Sequence, residues 1–376
     1  MKILQLGKFY PIIGGVEKVM YDIVEGMSKR VDICCDMLCA SKNRHGKIIK
    51  LNRAKVICTP TWIKAFATMI SPGMIIRLRQ IKNDYDIIQI HHPDPMAALA
   101  LWLSGYKGKV ILHWHSDILK QRIALRLYKP LQDWLIRRAD AIVETTPKYL
   151  EFSPFLQGKC LKKICIPIGI DAIFYDAAKV KALRDRYKEK KLIFSLGRLV
   201  EYKGYKYLVD AAKYLPNDYL ILIGGNGPLK ESLENLIAQN ALQEKVLLLG
   251  RIQDEDLPTY YATCDVYVMS SVWKTEAFGI VQIEAMSCGK PVIATKIPGS
   301  GVDWVNENGV SGINVDPMDG KAIADAVMHI LSDEERYEKF SKGAKERYEK
   351  LFRKETMINS FSDLYKSLMD SSSCTV

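Results

Sequence analysis

Thr275-Glu276-Ala277-Phe278-Gly279-Ile280-Val281-Gln282-Ile283-Glu284-Ala285-Met286 is the stretch on which the reading of this chain turns. It lies between two short apolar runs, Val266–Met269 and Pro291–Ala294. Such runs, β-branched and bounded by loops, read as buried strands, and the stretch between them must hold the helical crossover that makes them parallel. A helix is expected to begin near Phe278, with Glu276 at its start beside unpaired backbone N–H groups. Glu284 follows about two helical turns later on roughly the same side. A simple cap would explain Glu276 as well as a ligand contact would. A solvated surface explains Glu284 less well, because Ile283, Ala285 and Met286 read as buried.

Working outward, the same alternation covers the chain. Strands are expected at Ile3–Leu6, Val31–Leu38, Ile87–Ile90, Val110–His113 and Ala141–Thr145, then at Leu192–Leu196, Leu220–Ile223 and Val246–Leu249 before the pair already named. Each half has its own buried set, which predicts an α/β fold of two doubly wound, Rossmann-like domains. Ile166-Pro167-Ile168-Gly169-Ile170-Asp171 is the best boundary, giving domains 1–168 and 169–351. A polar helix, Ala178–Lys190, should follow it, and Glu334–Met369 reads as helical before a frayed Ser371-Ser372-Ser373-Cys374-Thr375-Val376.

Composition narrows the class. No apolar run reaches the ~18–20 residues of a membrane span, and the opening Met1–Gly7 is too short for a secretory leader, so a cytoplasmic location is expected. The nine cysteines show no Cys-x-x-Cys spacing, which points to reduced thiols rather than disulfides or zinc. The net charge of +11 is one-sided: residues 1–170 hold 27 Lys and Arg against 13 Asp and Glu. Nucleic acid, an anionic membrane surface or a phosphorylated substrate could each answer that charge.

Other motifs sit where ligands bind in such folds, at the carboxyl ends of strands. Gly14-Gly15 precedes a helix opening with Val16-Glu17-Lys18-Val19, and its backbone could approach an anion. The G-x-G-x-x-G fingerprint is absent, which disfavours a dehydrogenase. Alternation puts His113 and His115 on one side of a strand end; with no third ligand near in sequence, a hydrogen-bonding role for His115 is favoured over a metal site. His91-His92 reads as pocket wall. Arg198 and Lys203, beside Gly197 and Gly204, place two cations where a diphosphate could sit. Gly224-Gly225-Asn226-Gly227-Pro228 makes a tight turn with proline opening the next helix.

Taken together, these motifs resemble the retaining glycosyltransferases of family 4, with the GT-B fold, which build bacterial glycolipids and polysaccharides. The carriers are Gly14-Gly15-Val16-Glu17, His113-x-His115, Gly197-Arg198-x4-Lys203-Gly204, Gly224-Gly225-x-Gly227-Pro228, and Glu276-x7-Glu284 running on into Ala285-Met286-Ser287-x-Gly289-x-Pro291-Val292-Ile293-Ala294. The resemblance implies two domains facing a cleft, the first binding the acceptor and the second the nucleotide-sugar donor, with a C-terminal helix, 352–376, returning to the first. It implies that Gly14 and Gly15 approach the donor diphosphate, that Arg198 and Lys203 neutralise it, and that His115 lies beside the reacting sugar. It implies that Glu276, Ala277, Phe278, Gly279 and Ile280 hold the donor sugar, Glu284 the ribose, and Gly225 and Asn226 the donor's surroundings. His115, Arg198, Lys203 and Glu276 would be catalytic, with no metal and no cofactor beyond the nucleotide sugar itself. Pro298-Gly299-Ser300-Gly301-Val302 and Trp304-Val305-Asn306 look similar to polysaccharide mannosyltransferases and related hexosyltransferases, which favours GDP-mannose over a UDP-hexose as donor. One departure is Ile168, where many relatives carry asparagine in the linker.

The acceptor expected is lipid-diphosphate or saccharide. Arg122, Arg126, Lys129 and Arg137 form a basic stripe opposite Ile123, Leu127, Leu131, Trp134 and Leu135, with Pro130 expected to split the stretch into two helices. Thr61-Trp62-Ile63-Lys64-Ala65-Phe66 through Met69-Ile70 is a second amphipathic segment. Both suit peripheral contact with an anionic inner leaflet. A sugar-nucleotide epimerase of the same fold and a non-catalytic basic binding protein are the rivals; nucleic acid is disfavoured, since aromatics do not interleave with the basic residues.

Overall fold

The computed structural model describes residues 1–12, 14–65, 68–118, 122–157 and 162–370; the expectations for Phe66 and for the terminal serines fall outside them. The described chain separates into two compact units, Met1–Gly169 with the returning segment from Lys354, and Ile170–Arg353.

The first unit is built on strands β1 (Lys2–Tyr10), β2 (Cys34–Ser41), β3 (Lys47–Leu51), β4 (Ala54–Thr59), β5 (Ile63–Ala65), β6 (Thr68–Ile70), β7 (Ile87–His92), β8 (Lys109–Trp114), β9 (Ala141–Glu144) and β10 (Lys162–Cys165). Eight of them form one sheet in the order β10-β9-β8-β7-β1-β2-β4-β3, while β5 and β6 make a separate antiparallel hairpin. All pairings in the large sheet are parallel except β3 with β4 at its edge. The helix Gly15–Ser28 buries Val19, Met20, Ile23, Val24 and Met27, the one-sided stripe that seats it on the sheet. The helix Lys354–Asp370 packs on it so closely that a Cβ on Gly26 would lie 2.6 Å from Ile358. Lys354 ties the same pair of helices to Glu25 at 2.7 Å.

The second unit contains β11 (Lys191–Leu196), β12 (Tyr219–Gly224), β13 (Val246–Gly250), β14 (Val266–Met269), β15 (Val292–Thr295) and β16 (Gly312–Val315). They form a wholly parallel sheet in the order β13-β12-β11-β14-β15-β16. The order reverses between β11 and β14, and the carboxyl ends there open the crevice in which doubly wound folds hold ligands. The matching reversal in the first unit lies between β1 and β7.

Several local expectations are corrected. The helix Arg122–Arg138 runs through Pro130 without a break; one missing backbone donor is outweighed by the burial of Tyr128, Leu135 and Ile136 on either side. The buried face of that helix, among its described side chains, is Tyr128, Gln132, Leu135 and Ile136, whereas Leu127 is 80% exposed. The side chains of Arg122 and Ile123 lie outside the described ones. The tail is two helices, Glu334–Arg347 and Lys354–Asp370, joined by a wider turn at Tyr348–Phe352. No described helix is long and apolar enough to cross a membrane.

Candidate functional site

In the second unit, three loops meet at the carboxyl ends of β11, β12 and β14. The turn after β12 lies on the turn after β11: Gly197 N–H donates to Gly224 O at 3.0 Å and Leu199 N–H to Asn226 O at 3.0 Å. This approach needs glycine at two places: a Cβ on Gly225, whose φ is +130°, would stand 1.9 Å from Gly197 O, and one on Gly227 would stand 2.4 Å from Leu199 O. Pro228 does not open the next helix, which begins at Lys230; the intervening turn is held by Leu229 N–H donating to Leu199 O at 3.1 Å.

The loop after β11 is tied to the loop after β14. Val272 N–H donates to Tyr202 O at 2.7 Å, and Ser270 Oγ donates to Lys203 O at 3.0 Å. These ties bring Lys203 Nζ to 2.6 Å from Glu276 Oε2, with only 13% and 12% of the two side chains exposed. Ser271 Oγ adds a hydrogen bond to the same carboxylate oxygen at 3.1 Å. Burial works against the lysine's charge, but the Glu276 carboxylate, helped by Tyr205 and Tyr202, holds the ammonium above the ordinary lysine range. Arg198 is exposed, and among the described residues its side chain makes no ion pair or hydrogen bond. Burial raises the Tyr202 hydroxyl's pKa; Lys203 pulls it down, Glu276 pushes it up and Arg198 pulls it down. All three charges therefore act on Tyr202, a residue the linear reading did not single out.

Glu276 is not a helix cap. The helix is Ile280–Ser287, with Gly279 at its N-cap, φ +80°, and no side-chain cap. Glu276 instead ends a turn closed by its own N–H on Trp273 O at 2.9 Å. Ala277 O accepts from Gly301 N–H at 3.0 Å, and Phe278 is buried edge-on to Phe352. Ile280 is therefore the first helical residue, and the two carboxylates do not share a helix face. Glu284 stands inside the helix, where Tyr261 donates to its Oε2 at 2.5 Å. Burial and then that carboxylate keep the Tyr261 proton in place, its pKa well above the ordinary tyrosine value.

The remaining expected residues belong to the first unit. Gly14 caps the helix that Gly15 begins, after β1. His113 and His115 do share a side, with ring centroids 4.0 Å apart. The neighbour hidden from a linear reading is His91 on β7, whose Nδ1 is 2.9 Å from His115 Nε2. His91 is therefore more than pocket wall, while His92 stacks on Trp114 at 3.7 Å between centroids. Burial pulls all four imidazoles toward the neutral form, His92 and His113 to about 3. Potential ligand atoms of His91, His113 and His115 lie within 4.8 Å of one another. Two ligands on a tetrahedral zinc, each at about 2.0–2.1 Å, would sit about 3.3 Å apart. The 2.9 Å His91–His115 contact is a hydrogen bond between neutral rings.

Comparison with known proteins follows this geometry. Residues 178–347 match the family described as Glycosyl transferases group 1, and residues 13–151 match Glycosyltransferase Family 4. The O-antigen chain mannosyltransferase C of Escherichia coli is 30% identical over 99% of this chain and 100% of its own length. D-rhamnosyltransferase WbpZ of Pseudomonas aeruginosa is 29% identical over 94% of this chain and 92% of its own. Among solved structures, a sucrose-phosphate synthase from Thermosynechococcus elongatus superposes with a TM-score of 0.80 over 98% of this chain and 99% of its own, at 21% identity, a likeness of fold.

Proposed function

The chain belongs to glycosyltransferase family 4 and has the GT-B fold, and from that premise we propose that it transfers a hexose, with mannose from GDP-mannose preferred, to a lipid-linked or saccharide acceptor in the building of a cell-surface polysaccharide. The observation that carries the reading is the charge arrangement at the β11 and β14 ends: a buried Lys203–Glu276 pair beside an exposed, unpaired Arg198. As a nucleotide diphosphate leaves, negative charge grows on its phosphate oxygens, and preorganised cations and N–H dipoles count most at that moment. Arg198 is poised to take that charge, and Lys203 can exchange part of its interaction with Glu276 for the phosphate. Glu276 accepts hydrogen bonds from sugar hydroxyls, and Glu284, fixed by Tyr261, from the ribose. Two cations supply what a divalent ion would otherwise supply, so transfer proceeds without metal and, as in the family resembled, with retention at the anomeric carbon. The preference for mannose is supported by the full-length likeness to a mannosyltransferase.

The test is ligand-observed NMR with GDP-, UDP- and dTDP-sugars on the wild type and on Arg198→Ala. GDP-mannose should bind, and the variant should weaken it at least tenfold. Binding of UDP-hexoses alone overturns the donor; binding of none by folded protein overturns the donor site.

The first unit also carries apolar side chains among cations. Trp62 and Ile63, beside Lys64, are 69% and 61% exposed on the β5–β6 hairpin, and Leu127 projects between exposed Arg126 and Lys129. Apolar groups among cations suit a peripheral hold on an anionic leaflet, where a lipid-diphosphate acceptor would be met. Sedimentation with anionic vesicles should be salt-sensitive and weakened in Trp62→Ala; indifference to both removes the membrane from the reading.

A further inference from the structure

Three histidines of the first unit, His91, His113 and His115, are joined to the C-terminal helix by an unbroken series of buried hydrogen bonds. Tyr365 donates to Gln89 Oε1 at 2.6 Å and accepts from Gln5 Nε2 at 3.0 Å. Gln5 Oε1 lies 2.7 Å from His91 Nε2, and His91 Nδ1 lies 2.9 Å from His115 Nε2. On the other branch, Gln89 Nε2 lies 3.1 Å from His113 Nδ1. Gln5, Gln89 and His91 are fully buried, and Tyr365 is as well. His115 retains 5% exposure against 0% for His91 and 1% for His113, so it is the outermost ring.

With Gln5 Nε2 turned to Tyr365 and Gln89 Nε2 turned to His113, the donors and acceptors in this series set each proton. A carboxamide oxygen only accepts, so His91 must carry its hydrogen on Nε2. A neutral imidazole has one N–H, so His91 Nδ1 is bare and can only accept. His115 must then donate from Nε2, which leaves its own Nδ1 as a lone pair. The Gln89 nitrogen only donates, so His113 is bare at Nδ1 by the same logic. Burial keeps the three rings neutral, which is what lets one proton position dictate the next.

We infer that Tyr365, Gln5 and His91 are positioning residues that hold His115 as the Nε2–H tautomer, so that its Nδ1 stands as a hydrogen-bond acceptor toward a hydroxylated ligand. A lone pair repels phosphate oxygens and attracts O–H, so this ring selects a hydroxyl over a phosphate. The kind of hydroxyl, that of a sugar, rests on the glycosyltransferase reading, but the tautomer can be read without any turnover.

The experiment is long-range 1H–15N correlation on histidine-labelled full-length protein at neutral pH, with the six histidines assigned by single substitution. In the wild type, His91, His113 and His115 should each show a single Nε2–H pattern, with a pyridine-like Nδ1. Tyr365→Phe frees the Gln5 carboxamide to turn, and the Nδ1 resonance of His115 should move toward the averaged position. Gln5→Leu should do the same, and Gln5→Glu, which keeps the acceptor for His91, should restore the wild-type pattern. An Nδ1–H pattern for His115 in the wild type, or a pattern unmoved in both Tyr365→Phe and Gln5→Leu, overturns the inference. Donor turnover in His115→Ala tests the donor-site reading separately, so failure of one is not mistaken for failure of the other.

Discussion

Lys203 and Glu276 are each about seven-eighths buried, and that decides what their removal does. A charge left alone in such a place costs about 3–5 kcal/mol, whereas replacing both partners by apolar groups costs far less. Glu276→Ala should therefore destabilise the protein more than the double variant Lys203→Met with Glu276→Leu. A urea double-mutant cycle checks this; additive costs would show that the two side chains are not coupled. Both variants should lose donor turnover, because the pair is also the proposed holder of sugar and phosphate. Arg198 behaves differently: it is exposed and carries no structural partner among the described residues, so Arg198→Ala should leave the melting temperature within about 1–2 °C while donor binding falls.

At the scale of elements, the site is made by turns rather than by helices. The turn after β12 nests against the turn after β11 because neither Gly225 nor Gly227 has a side chain. Gly225→Ala would put a Cβ against the Gly197 carbonyl, and at φ +130° the backbone is strained as well. The expected cost is about 3 kcal/mol or more, with donor binding reduced in parallel. Gly250→Ala is the matched control: its φ is +70°, but nothing lies within 4 Å of the added Cβ. It should cost only about 1–2 kcal/mol and leave donor affinity unchanged. Equal effects at the two positions in thermal melts and in donor titrations would mean that the nested turns do not shape the site.

Across the whole molecule, the displaced titrations whose ordinary value lies nearest neutral pH are those of the four buried histidines in the first unit. Their folded pKa values are depressed below the unfolded value of about 6.5. The unfolded chain therefore takes up protons first, and the stability these rings allow is complete above that pH. It is lost as pH falls toward the folded values, about 3 for His92 and His113. Each ring contributes a slope of up to about 1.4 kcal/mol per pH unit in that window. Urea midpoints for the full chain should be lower at pH 5 than at pH 7.5, and His92→Phe should reduce the difference. Midpoints that do not move would mean that the rings titrate alike in both states.

The sequence by itself determined the fold class, because the strands that decide it are short, wholly apolar and separated by crossovers. Val266–Met269 forms over the residues expected, and the other expected strands form within a few residues at their ends. Six of the described strands were left unread, and two of them show why: Lys47–Leu51 is an edge strand carrying two lysines, and Gly312–Val315 is four residues long and holds glycine and asparagine. That Arg198, Lys203 and Glu276 would stand in loops beside glycine turns was legible too. Which of them touch was not legible. The start of the helix at Ile280 rather than Phe278 turned Glu276 from a cap into the partner of Lys203, and that depends on how two loops after different strands are tied together. The relay from Tyr365 to His115 depends still more on tertiary structure. Its members come from β1, β7, the end of β8 and the last helix, and hydrogen bonds between side chains so far apart in sequence exist only once sheet register and helix packing have placed them.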